Sequence, residues 1–75
     1  MKIHSKNYII PENISKKIIE HYKDKILSKS IYFGGGYVGF TNNNKIIEIN
    51  TFSRNKNQLI KSELENEFNF RLKAA

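Results

Sequence analysis

Two turn signals stand close together in the middle of the chain: Gly34-Gly35-Gly36 and Asn42-Asn43-Asn44-Lys45. Glycine reaches positive φ without steric cost, and asparagine tolerates the left-handed region and hydrogen-bonds its own turns. Short runs of β-branched and aromatic residues flank each signal: 31–33, 37–41 and 46–52. This pattern predicts a three-stranded antiparallel meander with tight turns. Strand alternation then sorts the side chains. Ile31, Phe33, Val38, Phe40, Ile47 and Ile49 share one face, and Tyr32, Tyr37, Gly39, Ile46, Glu48 and Asn50 share the other.

Helical periodicity brackets the meander. Ile14, Ile18, Ile19, Tyr22 and Ile26 fall on one arc, while Lys16, Lys17, Glu20, Lys23 and Asp24 form a mixed charged face. The spacing predicts a helix over 11–28, with Pro11 in its first turn or Asn13 as its cap, followed by a turn at Ser28-Lys29-Ser30. Ile60, Leu64, Phe68 and Leu72 recur at four-residue intervals, with Leu59 and Phe70 beside them. That predicts a second helix over 54–72, capped by Ser53, or by Asn55 with Gln58 in a capping-box arrangement. A short strand over 2–10 precedes everything. The expected fold class is α+β: a small two-layer domain of order (β)αβββα, its three-stranded antiparallel meander packed on two amphipathic helices.

A chain of 75 residues is one domain, 1–75, and a small one. It has no cysteine, so neither a disulfide nor a thiolate metal site can staple it. Two histidines with few carboxylates near them do not suggest a metal site, and no cofactor motif is present. Stability must come from the apolar core or from association of copies, so a homodimer is compatible with the sequence. No leader-like apolar stretch follows Met1, and no apolar run is long enough to span a bilayer. The expectation is a cytoplasmic protein without membrane association. Lys, Asn and Ile are abundant, as an AT-rich genome would produce; the source expected alongside the functional reading below is a phage or a mobile element.

The net charge of +6 is unevenly placed. Residues 1–61 hold eleven Lys and Arg against four acids, whereas 62–75 hold two against three. A basic body attracts polyanions. An enzyme is not expected. Asp24 is the only aspartate, His21 is adjacent to Tyr22 rather than facing a partner, and Glu63, Glu65 and Glu67 spread around a helix. The three glycines are not a phosphate loop either, because a strand-like segment follows them instead of a helix with its lysine.

Gly36-Tyr37-Val38-Gly39-Phe40 is similar to the end of the aromatic motif of RNA-recognition domains, where such an aromatic stacks on a base. The upstream half differs: Phe33 stands where a basic residue belongs, and Gly35 where an aromatic belongs. Residues 31–72, three strands with a glycine-rich first turn and then a helix opening Arg54-Asn55-Lys56, resemble in architecture the three-stranded DNA-binding domains at the ends of phage integrases. Those domains lay a sheet face in the major groove. The resemblance implies contacts from Tyr32, Tyr37, Asn43, Asn44, Lys45 and Arg54, and charge adds Lys56. Glu48 and the scarcity of arginine on the sheet depart from it. The leading expectation is a small basic nucleic-acid-binding protein, DNA ahead of RNA. The alternative is a protein-binding inhibitor or adaptor, such as a phage-type factor that blocks a host enzyme through the exposed sheet face or edge.

Overall fold

The computed structural model describes residues 2–27 and 30–75. The elements run β1 (His4–Ile9), α1 (Glu12–His21), a 3-10 turn (Lys23–Lys25), β2 (Ile26–Leu27), β3 (Ser30–Phe33), β4 (Gly36–Thr41), β5 (Ile46–Thr51), α2 (Arg54–Phe68) and β6 (Lys73–Ala74). All strands pair antiparallel in one sheet of order β2-β3-β4-β5-β1-β6. The domain is therefore a small compact α+β unit with two helices. Its sheet has six strands rather than three. The meander β3-β4-β5 forms its middle, β1 pairs with β5 along its whole length, and two-residue strands close both edges.

The registers put Ile31, Val38 and Ile49 side by side, and likewise Phe40, Ile47 and Tyr8. This face meets the helices. Ile18 of α1 and Ile60 and Leu64 of α2 join Ile31, Val38, Ile47 and Ile49 in a single core, with Tyr8, Ile10 and Leu72 closing it. Fully burying one such side chain contributes about 1.5–3 kcal/mol. At one margin of the core, Tyr22 stands edge-on to Phe33 at 5.2 Å, and His21 edge-on to Phe68 at 5.4 Å. His21 Nε2 also lies 3.5 Å from Glu67.

The helix expected over 11–28 stops at His21. Tyr22 takes φ −105°, turning its ring toward Phe33, and the chain tightens into the 3-10 turn. Ile26 and Leu27 then pair with Ile31 and Ser30, exchanging helical hydrogen bonds for a ladder at the sheet edge. The expected turn at 28–30 falls partly on Ser28 and Lys29, which lie outside the described residues. At the N-terminus, the Pro11 carbonyl accepts from the Ile14 and Ser15 amides, and no side chain caps α1.

The second helix ends at Phe68 instead of Leu72. Asn69 adopts the left-handed conformation, φ 55°, and the amides of Asn69 and Phe70 both donate to the Glu65 carbonyl. The Phe70 bond is the 6→1 bond of a Schellman end, and the Asn69 bond is the 5→1 bond of a left-handed cap. Its N-cap is Ser53, whose hydroxyl accepts from the Lys56 amide at 3.1 Å, so the Asn55–Gln58 box is not the one used. Beyond Asn69 the chain extends, buries Leu72, and runs back along β1 as β6, so the last element is a strand.

Glu65 fastens this tail. Its carboxylate accepts from the Leu72 amide at 2.8 Å and lies 3.2 Å from Lys61 Nζ. The Leu72 hydrogen bond first, and then Lys61, holds the carboxyl below the usual glutamate range. A depressed folded-state pKa gives stability that is present above the unfolded value and lost as pH falls through the folded one. The amide of Leu72 should thus lose hydrogen-exchange protection as pH drops below about 4, the unfolded glutamate range. Glu65→Gln should weaken tail protection at neutral pH and remove most of that acid dependence.

Candidate functional site

Among the described residues, no helix covers the opposite sheet face. Its side chains lie in rows across the strands: Tyr32, Tyr37, Asn50 and Ser5 in one, then Ser30, Gly39, Glu48 and Asn7 in the next. Thr41, Ile46, Ile9 and Lys73 make a third row. Tyr32 is 52 % exposed, and its ring centroid is 6.2 Å from that of Tyr37. The pair exists because Phe33 and Gly36 close a two-residue turn, which sets Tyr32 opposite Tyr37. Asn50 is on this face yet buried by its neighbours. Its amide donates to Glu48 at 3.1 Å and its carbonyl accepts from the Ser5 hydroxyl. The face itself is nearly neutral, with Glu48 and Lys73 as its charges in these rows.

Cations gather at the glycine-turn end of the sheet, where α2 begins. Arg54 and Lys56 lie in the first turn of α2, which has no acidic residue. The positive end of a helix dipole ordinarily favours carboxylates there, so this turn runs against the usual electrostatic preference. Lys56 reaches over the turn: a Cβ built on Gly35, which has φ +87°, would meet its ammonium. Two clefts flank this end. One, of about 370 Å³, lies beside β3 and is lined by Lys25, Tyr32, Phe33, Gly34, Lys56, Leu59, Ile60 and Glu63. The other, of about 480 Å³, lies between β1 and α2 and is lined by Ile3, His4, Ser5, Lys6, Arg54, Asn57 and Gln58. Among the described residues, no carboxylate stands within ion-pairing distance of Lys6, Lys25, Arg54 or Lys56.

The second cleft is floored by a buried polar network. Asn57 donates to the His4 carbonyl at 3.1 Å and to that of Ile49 at 3.5 Å, and its own oxygen faces the Thr51 hydroxyl. The single proton of that hydroxyl is offered both this oxygen and the Ser53 carbonyl, 2.6 Å away. These bonds join β1, β5 and α2 and set where Arg54 and Lys6 stand.

The seven residues singled out from sequence separate into two groups. Tyr32, Tyr37, Arg54 and Lys56 lie at the glycine-turn end. Asn43, Asn44 and Lys45 lie in the β4–β5 loop, about 17 Å away along the strands by the five-residue length of the ladder. Asn42, Asn43 and Asn44 all have positive φ, 52°, 55° and 64°, as the loop requires. The Asn44 carbonyl accepts from the buried Ser15 hydroxyl at 2.6 Å, and that of Lys45 accepts from the Ile10 amide at 3.0 Å. Sequence reasoning missed Lys6 and Lys25. Lys6 sits in a strand whose place in the sheet no local signal reveals, and Lys25 in a segment read as helix.

Among the described residues, no group of three or more His, Asp or Glu is placed to hold a metal ion, and no helix is long and apolar enough to cross a membrane. No family model, curated protein or solved structure gives a significant match to this chain.

Proposed function

We propose that this chain is a nucleic-acid-binding protein rather than an enzyme, and that it works through the glycine-turn end of its sheet. The observation that supports this best is the set of cations without carboxylate partners: Lys25 and Lys56 share a cleft with the exposed Tyr32, and Lys6 and Arg54 line the cleft at the far end of its row. Lys and Arg displace the counterions of phosphates, so affinity should fall steeply with salt. With three or four phosphates engaged, log K should fall with log salt at a slope of about −2 to −4. The double substitution Arg54→Ala with Lys56→Ala should make that slope shallower by about 1–2. Fluorescence anisotropy across a salt series measures both. Absence of binding to any oligonucleotide at low salt would end the proposal.

A second reading, a protein-binding inhibitor or adaptor, has its own support. Ile9, Leu27 and Tyr32 are exposed on the near-neutral face. β6 pairs with β1 only through Tyr8 and Ile9, so the earlier part of β1 presents an open edge. An extended partner segment can add to such an edge. Partners retained from a nuclease-treated lysate favour this reading, and their loss on nuclease treatment favours the first.

A further inference from the structure

Resting on the nucleic-acid reading, we propose that the ligand is a single strand, laid across the helix-free sheet face from one cationic cleft to the other. The row Tyr32–Tyr37–Asn50–Ser5 crosses four adjacent strands at one level. Tyr32, at one end of the row, lines the cleft that holds Lys25 and Lys56. Ser5, at the other end, lines the cleft that holds Lys6 and Arg54. An aromatic platform with cations at both margins holds unpaired bases on its rings and phosphates at its rims.

Two further observations fit a flat ligand. Gly39 stands beside Tyr37 on the same face, outside the positive-φ region, and a Cβ there would meet nothing closer than Ser30 Oγ at 3.7 Å. Neither the backbone nor the packing of this chain calls for glycine at that position. A bare strand centre is what a closely approaching group needs. Glu48 borders the tyrosine row on the side away from the glycine turn, so phosphates are turned toward the end where Lys56 and Arg54 stand.

Sheet width argues against a duplex. Strands lie about 4.8 Å apart, so the four long strands alone place their outer axes about 14 Å from each other. The major groove is about 12 Å wide and admits a helix or a two-stranded ribbon. With β2 and β6 added at the edges, this face cannot enter it. The major-groove mode suggested by the integrase-like architecture fits a three-stranded sheet, not this one.

The test is a titration of labelled oligomers of ~12 nucleotides, longer than a site of this size. Single-stranded DNA, single-stranded RNA and a duplex of the same sequence are compared at low salt. The expected result is that one or both single strands bind at least ~10-fold tighter than the duplex, with quenching of tyrosine emission. Tyr32→Ala and Tyr37→Leu should each weaken single-strand binding by about 5- to 100-fold, whereas Tyr37→Phe keeps it. Thermal melts establish that the variants are folded, and Tyr37→Leu keeps an apolar strand side chain without a π-face. Equal or tighter duplex binding overturns the single-strand path and leaves the nucleic-acid reading standing. So does single-strand binding indifferent to both tyrosine variants. No binding to any of the three oligomers overturns both. A two-chain mass that falls to one chain in Tyr32→Ala assigns the face to a second copy and overturns the path.

Discussion

Gly36→Ala lowers stability by about 1–3 kcal/mol, while the same change at Gly34 leaves it unchanged or raises it by up to about 1 kcal/mol. The contrast follows from geometry. A Cβ on Gly36 would lie 2.5 Å from the Asn50 carbonyl oxygen and 2.5 Å from Thr51 Cγ2, and neither can swing away. Thr51 is held by its bonds to Ser53 and Asn57, and the Asn50 carbonyl belongs to a central strand. Gly34 has nothing within 4 Å of its virtual Cβ and lies outside the positive-φ region, so alanine there only restricts the unfolded chain. For a domain of this size, 1 kcal/mol shifts Tm by about 4–8 °C. Melts of the two variants should therefore separate by 5 °C or more, a gap of about 1 kcal/mol. Equal melting points would refute this account of the turn.

The other large effect is at Asn57. Only 4 % exposed, it satisfies two backbone carbonyls and faces a hydroxyl. Alanine leaves the His4 and Ile49 carbonyls without that donor and opens a void, at a cost of about 2–4 kcal/mol. Asn57→Asp keeps the shape but aims a carboxylate at carbonyl oxygens. Its folded-state pKa then lies above the unfolded one, so the loss is largest at neutral pH and shrinks as pH falls through the folded value toward the unfolded aspartate value of about 4. Denaturant midpoints at pH 7 and near pH 4 separate the two variants: alanine shows no such recovery, and aspartate does. Because Asn57 also floors the cleft of Arg54 and Lys6, its loss should reduce oligonucleotide affinity along with stability.

Local rules reached the middle of this fold and failed at its margins. The glycine and asparagine turns, the face assignment of 31–52 and the cores of both helices follow from period and turn chemistry. The edge strands do not, because Ile26-Leu27 and Lys73-Ala74 are too short to show alternation. Ile26 continued the apolar spacing of α1, and Leu72 that of α2. In each case the chain left the helix earlier, at Tyr22 and at Asn69. The site divides in the same way. Tyr32 and Tyr37 meet across a turn readable in sequence, but Lys6 and Arg54 share a cleft only because β1 returns beside β5. No window of the chain shows that return.

The placement of β1 also sets an order of events. His4 pairs with Thr51 and Ile9 with Ile46, so one of the sheet's inner ladders joins residues far apart in the chain. Such pairings close large loops before any contact rewards them, and they slow folding relative to local hairpins. During synthesis, the first strand made waits until β5 has left the ribosome. Until then Tyr8, and Ile10 just beyond the strand, have no core to enter. The hairpins of β3-β4-β5 can form in the meantime, and β1 then completes the cleft of Lys6 and Arg54 as it docks.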